Sequence, residues 1–196
     1  MHDAPSDPCL MVIFGASGDL TKRLLVPSLF NLYCDGLLPE AFAILGMAMD
    51  DYDDEGFRAK MNADVRAYLR RSGGFDEEAW GRFSANIHYQ QGDFDDAEAF
   101  RQLARQLQAL DARHATSGNI LFYMATPPSV FNMISSGLHA VNLQDSENGW
   151  RRIIVEKPFG SDLASARELN REILSFWRED QIFRIDHYLG KEPVQN

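Results

Sequence analysis

Cysteine is nearly absent: Cys9 and Cys34 are the only two among 196 residues. Two thiols this far apart offer neither the ligand spacing of a zinc site nor a disulfide framework. Cys9 begins an apolar run and Cys34 closes a helical pattern, so both are expected as reduced core thiols. Long hydrophobic runs are missing too. No stretch approaches the roughly 18–20 apolar residues that span a bilayer, and the opening Met1–Pro8 lacks the cationic and apolar regions of a secretory leader. The expectations are no membrane association and a cytoplasmic location. Positive charge is scarce, with 19 Lys and Arg against 29 Asp and Glu and a formal net charge of −10. Such a field repels nucleic acid and anionic lipid, so neither is an expected partner, and a phosphorylated substrate has to be captured by a local cationic pocket. Fixed-period repeats and low-complexity linkers are lacking as well; Arg71-Ser72-Gly73-Gly74 and Ser146-Glu147-Asn148-Gly149 read as plain loops.

What the chain does have is hydrophobic residues at 45%, enough for a substantial core, arranged in a regular alternation. Cys9–Phe14 is short, apolar on both faces and ends at Gly15, the pattern of a buried parallel strand feeding a tight turn. Leu24, Leu25, Leu29, Leu32 and Tyr33 then recur at helical spacing, with Pro27 tolerated only in a first turn or at a kink. The same alternation continues through strand-like Phe42–Gly46, a helix from about Asp54 to Arg71, and strand-like Ile87–Tyr89. Next come a helix over Asp95–Leu110, strand-like Asn119–Met124 and a helix opened by Pro127-Pro128-Ser129. Arg152–Glu156 reads as a fifth strand, followed by a helix from about Asp162 to Phe176 with Asp162 as its N-cap. Strands and helices in this order predict an α/β fold, a doubly wound Rossmann-like parallel sheet covered on both faces. Residues 1–180 are expected to form the dinucleotide-binding domain, and 181–196 to begin a substrate segment leading to a second α+β domain outside the chain. The ending at Asn196, without a closing signal, reads as truncation.

Gly15-x-x-Gly18 falls between the first strand and the first helix, where free N–H groups and the positive helix end favour a pyrophosphate. The match to G-x-G-x-x-G is imperfect, because Ile13 takes the first glycine position if Gly15 and Gly18 take the last two. A structural strand-to-helix turn accounts for the residues alone equally well; the position, closing the first strand of an alternating fold, favours dinucleotide binding. At the other end, Arg184, Asp186, His187, Tyr188 and Lys191 crowd five polar side chains into eight residues beside Gly190. They form either a structural hydrogen-bonding cluster or a phosphate clamp, with Lys191 as point charge and His187 and Tyr188 as donors.

Gly15-Ala16-Ser17-Gly18-Asp19-Leu20-Thr21-Lys22-Arg23 resembles the cofactor-binding signature of the glucose-6-phosphate dehydrogenases. Phe122–Val130, Val155-Glu156-Lys157-Pro158-Phe159-Gly160 and Arg184–Glu192 match the same family in order. The resemblance implies oxidation of glucose 6-phosphate to 6-phosphogluconolactone with NADP or NAD, the first step of the pentose phosphate pathway, by a homo-oligomeric protein. It implies that Gly15, Ala16, Ser17, Gly18, Asp19 and Leu20 bind cofactor, and that His187, Tyr188 and Lys191 hold the sugar phosphate. Lys157 is implied to lie between sugar and nicotinamide, serving catalysis, cofactor and substrate alike, with Pro158 a candidate cis-proline. Asp186 is implied to orient a catalytic histidine. In the family that histidine is the general base and belongs to the second domain, and His2, His88, His114 (expected in a loop) and His139 are no substitutes. The chain alone is therefore expected to bind dinucleotide weakly or not at all and to show no turnover. Two other readings stay open: a Rossmann oxidoreductase of a different sugar phosphate, separated by a screen of hexose phosphates, and a non-catalytic nucleotide-binding module, separated by a histidine-bearing downstream domain.

Three positions depart from the family. Met49 stands where NADP-dependent members carry arginine, and Asp50, Asp51, Asp53, Asp54 and Glu55 follow with no nearby cation, which repels a 2′-phosphate. Asp53 to Glu55 are expected to be the acidic first turn of a helix, whereas Asp50 is placed for a ribose, so the expected specificity is relaxed or NAD-leaning. Leu24 replaces a lysine near the substrate, and Phe131 replaces a cofactor-contacting tyrosine.

Overall fold

The computed structural model describes residues 7–156 and 163–185. Six parallel strands form one sheet: β1 (Cys9–Phe14), β2 (Phe42–Ala48), β3 (Ile87–Gln91), β4 (Ile120–Met124), β5 (Arg151–Glu156) and β6 (Ile182–Ile185). Their spatial order is β3-β2-β1-β4-β5-β6, so the chain reverses its winding direction between β1 and β4. That reversal is the topological switch point of a doubly wound sheet, where a crevice opens at the carboxyl ends of the strands.

The strands are apolar on both faces because each face is covered. Alternate residues Leu10, Val12 and Phe14 of β1 pack with α4 (Ala97–His114), α5 (Phe131–Ala140) and α6 (Leu163–Leu174). Cys9, Met11 and Ile13 pack on the other side with α1 (Val26–Cys34), α2 (Asp54–Tyr68) and α3 (Glu77–Ser84). The period-2 division follows from the pleat, which sends successive side chains to opposite faces. Phe14 is central to its face, with the rings of Phe94, Phe100 and Phe122 at 5.9, 6.5 and 6.2 Å.

Five strands and most helices lie where sequence periodicity puts them; the departures have local causes. Pro27 falls near the start of α1, directly behind a π-helical turn at Thr21–Leu25 in which the Val26 amide donates to the Thr21 carbonyl. The wide turn accommodates a residue that has no N–H to give. α2 stops at Tyr68 rather than Arg71, because Leu69 turns extended. α4 starts at Ala97, capped by Asp96, and runs past Leu110 to His114, where Ala115 adopts a left-handed conformation; His114 is therefore helical, not in a loop. α3 was not expected: Asp76 caps it by accepting from the Ala79 amide at 2.9 Å, and Trp80 and Phe83 bury against Phe30 at 5.3 and 5.6 Å. β6 was not expected either; it adds to β5 with Ile182 opposite Ile153. Of the two thiols, Cys9 is core, its pKa pushed up to about 11 chiefly by burial. Cys34, at the end of α1, is only half-buried. The expected N-cap Asp162 lies outside the described residues.

β3 is an edge strand, and α2 blunts it. Arg58 donates to the Ile87 carbonyl (2.7 Å), and Asp54 accepts from the Tyr89 amide (2.7 Å), so the edge groups that would template another strand are occupied. The other Asp54 oxygen binds Nδ1 of buried His88 (2.8 Å), whose Nε2 faces His114 Nε2 at 3.0 Å. Since a carboxylate only accepts, His88 carries its proton on Nδ1 and accepts from His114. Burial, then His88 and Arg113, hold the His114 pKa below the ordinary imidazole value. A base whose folded pKa is depressed contributes stability that is complete above its unfolded pKa, about 6.5, and is lost as pH falls through the folded one. Denaturant melts from pH 7.5 to 5 should therefore show falling stability, with a flatter slope in His114→Gln; equal slopes would mean that His114 takes no part.

Candidate functional site

The turn after β1 sits at the switch point. Gly15 has φ of +79°, and a Cβ built on it would come within 2.7 Å of the Ala125 carbonyl oxygen and 2.8 Å of Thr126 Cγ2. Glycine is required both for the left-handed backbone and for the approach to the end of β4. The Gly15 and Ala16 amides both donate to the Met47 carbonyl (2.9 and 3.2 Å), and the Gly18 amide donates to the Gly15 carbonyl (3.0 Å). Buried Thr21 donates its hydroxyl to that same carbonyl at 3.2 Å. Ala16 packs its methyl toward β2, where a Cβ on Gly46 would come within 2.7 Å of it. The amides of Ser17, Asp19 and Leu20 have no partner among the described residues. The helix opens at Asp19, so these are the free donors of a helix N-terminus, aimed where an anion is stabilised. Of the six turn residues singled out from sequence, three thus offer amides, while Gly15, Ala16 and Gly18 shape the cradle.

The local cations are partly committed. Lys22 pairs with Asp19 at 2.6 Å, which lowers the Asp19 pKa and raises that of Lys22. Leu24 is exposed, and Phe131, only 2% exposed, belongs to the core.

The second wall is the segment after β2. Met49 is 64% exposed and Asp50 is exposed beside it. Their carbonyls are held by β3: Tyr89 donates its hydroxyl to the Asp50 carbonyl (2.7 Å), and the Gln91 side-chain amide donates to the Met49 carbonyl (3.1 Å). Asp53 caps α2 by accepting from the Gly56 amide at 2.7 Å. The expectation of no nearby cation fails for Asp54, which lies 3.4 Å from Arg58, one helical turn on. Among the described residues the Asp50 carboxylate, at the lip of the crevice, has no ion pair.

The third wall comes from β4 and β5. Tyr123, buried near the end of β4, donates its hydroxyl to the Glu156 carboxylate at the end of β5. Burial and then Glu156 push the Tyr123 pKa upward, so the phenol stays a donor. Thr126 follows on the β4 side, half-buried, with a hydroxyl oxygen sealed from solvent and without a partner among the described residues. Arg184, on β6, is taken up by a bidentate pair with Glu179 (2.7 and 3.1 Å) and by Asn170 (2.6 Å), so it is not a spare cation. Lys157, Pro158, Asp186, His187, Tyr188 and Lys191 lie outside the described residues.

A glycine cradle that no Cβ could share, three amides without a partner among the described residues and an exposed carboxylate after β2 together fit a dinucleotide. A family model, glucose-6-phosphate dehydrogenase, NAD binding domain, matches residues 12–196. A glucose-6-phosphate 1-dehydrogenase 2 of Mycobacterium tuberculosis is 43% identical over 190 residues, covering 96% of this chain and 37% of that protein. A glucose-6-phosphate 1-dehydrogenase of Aggregatibacter actinomycetemcomitans is 43% identical over 191 residues, covering 97% and 38%. A solved structure of a glucose-6-phosphate dehydrogenase in complex with its substrate glucose-6-phosphate superposes with a TM-score of 0.84 at 37% identity, covering 100% of this chain and 40% of that one. The chain thus spans about two-fifths of the length of the relatives it matches.

Proposed function

Because the chain belongs to the family of the glucose-6-phosphate dehydrogenase NAD-binding domain, we propose that it binds the dinucleotide of an enzyme oxidising glucose 6-phosphate to 6-phosphogluconolactone. The observation that carries this is the Gly15 turn at the switch point, with the Ser17, Asp19 and Leu20 amides free beside it. They would hold the pyrophosphate, as a helix N-terminus holds an anion, and Asp50 would accept from the adenine-side ribose hydroxyls. When bound, the nicotinamide supplies the hydride acceptor. Buried Tyr123 fixes Glu156, the residue immediately before Lys157, and Lys157 in turn is assigned a place between sugar and cofactor. His187, Tyr188 and Lys191 are assigned to the substrate phosphate, and Asp186 to orienting the general-base histidine of the companion domain. The local capture of a phosphate by these residues answers the adverse net charge. The enzyme acts in the cytoplasm as a homo-oligomer at the entry to the pentose phosphate pathway.

Cofactor choice leans to NAD because no cation among the described residues pairs with the Asp50 carboxylate to offset a 2′-phosphate. In the full-length protein, glucose 6-phosphate should drive reduction of NAD at least as efficiently as of NADP. Asp50→Ala should lower kcat/KM for NAD about tenfold, the size of one lost hydrogen bond to a charged group, and spare NADP. No glucose 6-phosphate-dependent reduction of either cofactor would overturn the activity; a strong NADP preference untouched by Asp50→Ala would overturn the specificity.

A further inference from the structure

Burial changes character toward one end of the sheet. Every residue of β1 and β2 is buried, whereas β5 and β6 are buried only at Ile153, Val155 and Ile182, which face α5 and α6. On the opposite side the register sets Arg152 beside Leu121 and Phe183 beside Ile154. There Leu121, Arg152, Ile154 and Ile185 are only half-buried, and Phe183 is 44% exposed. The topology explains the difference. The crossovers that join β1, β2 and β3 put α1, α2 and α3 on this side, while those that join β4, β5 and β6 run the other way and put α5 and α6 on the far side. Among the described residues no helix packs across the β5–β6 half of the α1–α3 face. Parallel sheets are normally covered on both faces, so half a face of apolar side chains in water calls for an occupant.

Arg152 indicates what kind of surface covers it. Its guanidinium lies over the Trp150 ring, 4.1 Å from the centroid, with the Phe183 centroid at 5.6 Å. No carboxylate among the described residues pairs with it. A planar, half-buried cation in an apolar patch is matched by an opposing carboxylate. Relatives carry about three-fifths of their length outside the region matched here, and the described chain leaves the sheet at Ile185, on the border of the patch. A domain tethered there meets the patch at an effective concentration on the order of millimolar. We propose that the half-face of Leu121, Arg152, Ile154, Phe183 and Ile185 is the docking surface of the companion domain of the full-length protein, which covers it with apolar side chains and sets a carboxylate against Arg152. This stands apart from the dinucleotide reading, because the patch lies on the sheet face and not at the switch-point crevice.

Maleimide labelling of Phe183→Cys tests the cover, in the 196-residue chain and in the full-length protein, with Cys34→Ser in both and the labelled peptide read by mass spectrometry. The chain alone should label within about tenfold of the rate in denaturant, and the native full-length protein at least about 100-fold more slowly than that at every protein concentration. Rapid labelling in both overturns the proposal, and so does equal protection in both, which would mean that the chain covers the face itself. Protection that vanishes on dilution overturns it in favour of a second copy. Thermal melts of the full-length protein test the charge. Arg152→Glu should lower the melting temperature by about 5 °C or more, because it opposes two carboxylates, and Arg152→Gln by less than about half as much. Equal losses in the two variants would reduce Arg152 to its stacking on Trp150 and overturn the apposed carboxylate.

Discussion

Gly15→Ala should abolish useful dinucleotide binding, weakening affinity at least about 100-fold, and should destabilise the fold by about 2–4 kcal/mol. The stability loss has two sources. Alanine at φ of +79° is strained by its own backbone, and its methyl would lie 2.7 Å from the Ala125 carbonyl oxygen. The neighbour is main chain at the end of a central strand, so it cannot rotate away. Relief must come from the turn itself, which is anchored by the Met47 carbonyl and moves the Ser17, Asp19 and Leu20 amides when it shifts. Loss of about two hydrogen bonds to a charged group at about 1.5–3 kcal/mol each accounts for the 100-fold. Titration of the folded variant with NAD and NADP checks this; an affinity within a factor of three of the parent would show that the phosphates bind elsewhere.

Asp54→Ala should cost about 2–3 kcal/mol and lower the melting temperature by about 5–10 °C. One carboxylate satisfies the Tyr89 amide on the sheet edge, buried His88 Nδ1 and, at 3.4 Å, Arg58. Removing it strips the edge strand of an acceptor and leaves His88 free to choose the other tautomer, which breaks the sense of its contact with His114. Asp54→Asn separates the contributions: its carbonyl still accepts from Tyr89, and its amide can donate to His88 Nδ1, so it should recover more than half of the loss. Because Tyr89 also pins the Asp50 carbonyl, the alanine variant should bind NAD more weakly as well. Differential scanning calorimetry settles the first point, and an unchanged melting temperature would mean that water replaces the carboxylate without penalty.

Much of this was legible in the residues because it is local. β1 reads as a doubly covered strand from its unbroken apolar run, and Gly15 as a turn from its place at the end of that run. Asp53 to Glu55 read as the first turn of a helix, which is where they lie. α3 carried a signal too, an Asp76 cap followed by Glu77 and Glu78 with Trp80 and Phe83 one turn apart, obscured by the glycines before it. Ile182–Ile185 is short and half-exposed, a pattern too brief to announce an edge strand. Other features leave no mark along the chain. Tyr89 reaches Asp50 from 39 positions away and His88 meets His114 across 26, and nothing in their neighbours' periodicity announces either pairing.

The amino-acid order alone determined the alternation of strands and helices, the glycine turn and the acidic lip, since each depends on backbone preference and apolar periodicity within a few residues. Only the tertiary structure decided which turn amides stay free and which carboxylates are committed. Those outcomes depend on which strands become neighbours, and strand order β3-β2-β1-β4-β5-β6 is set by the packing of two helical layers on one sheet rather than by any segment's own propensity.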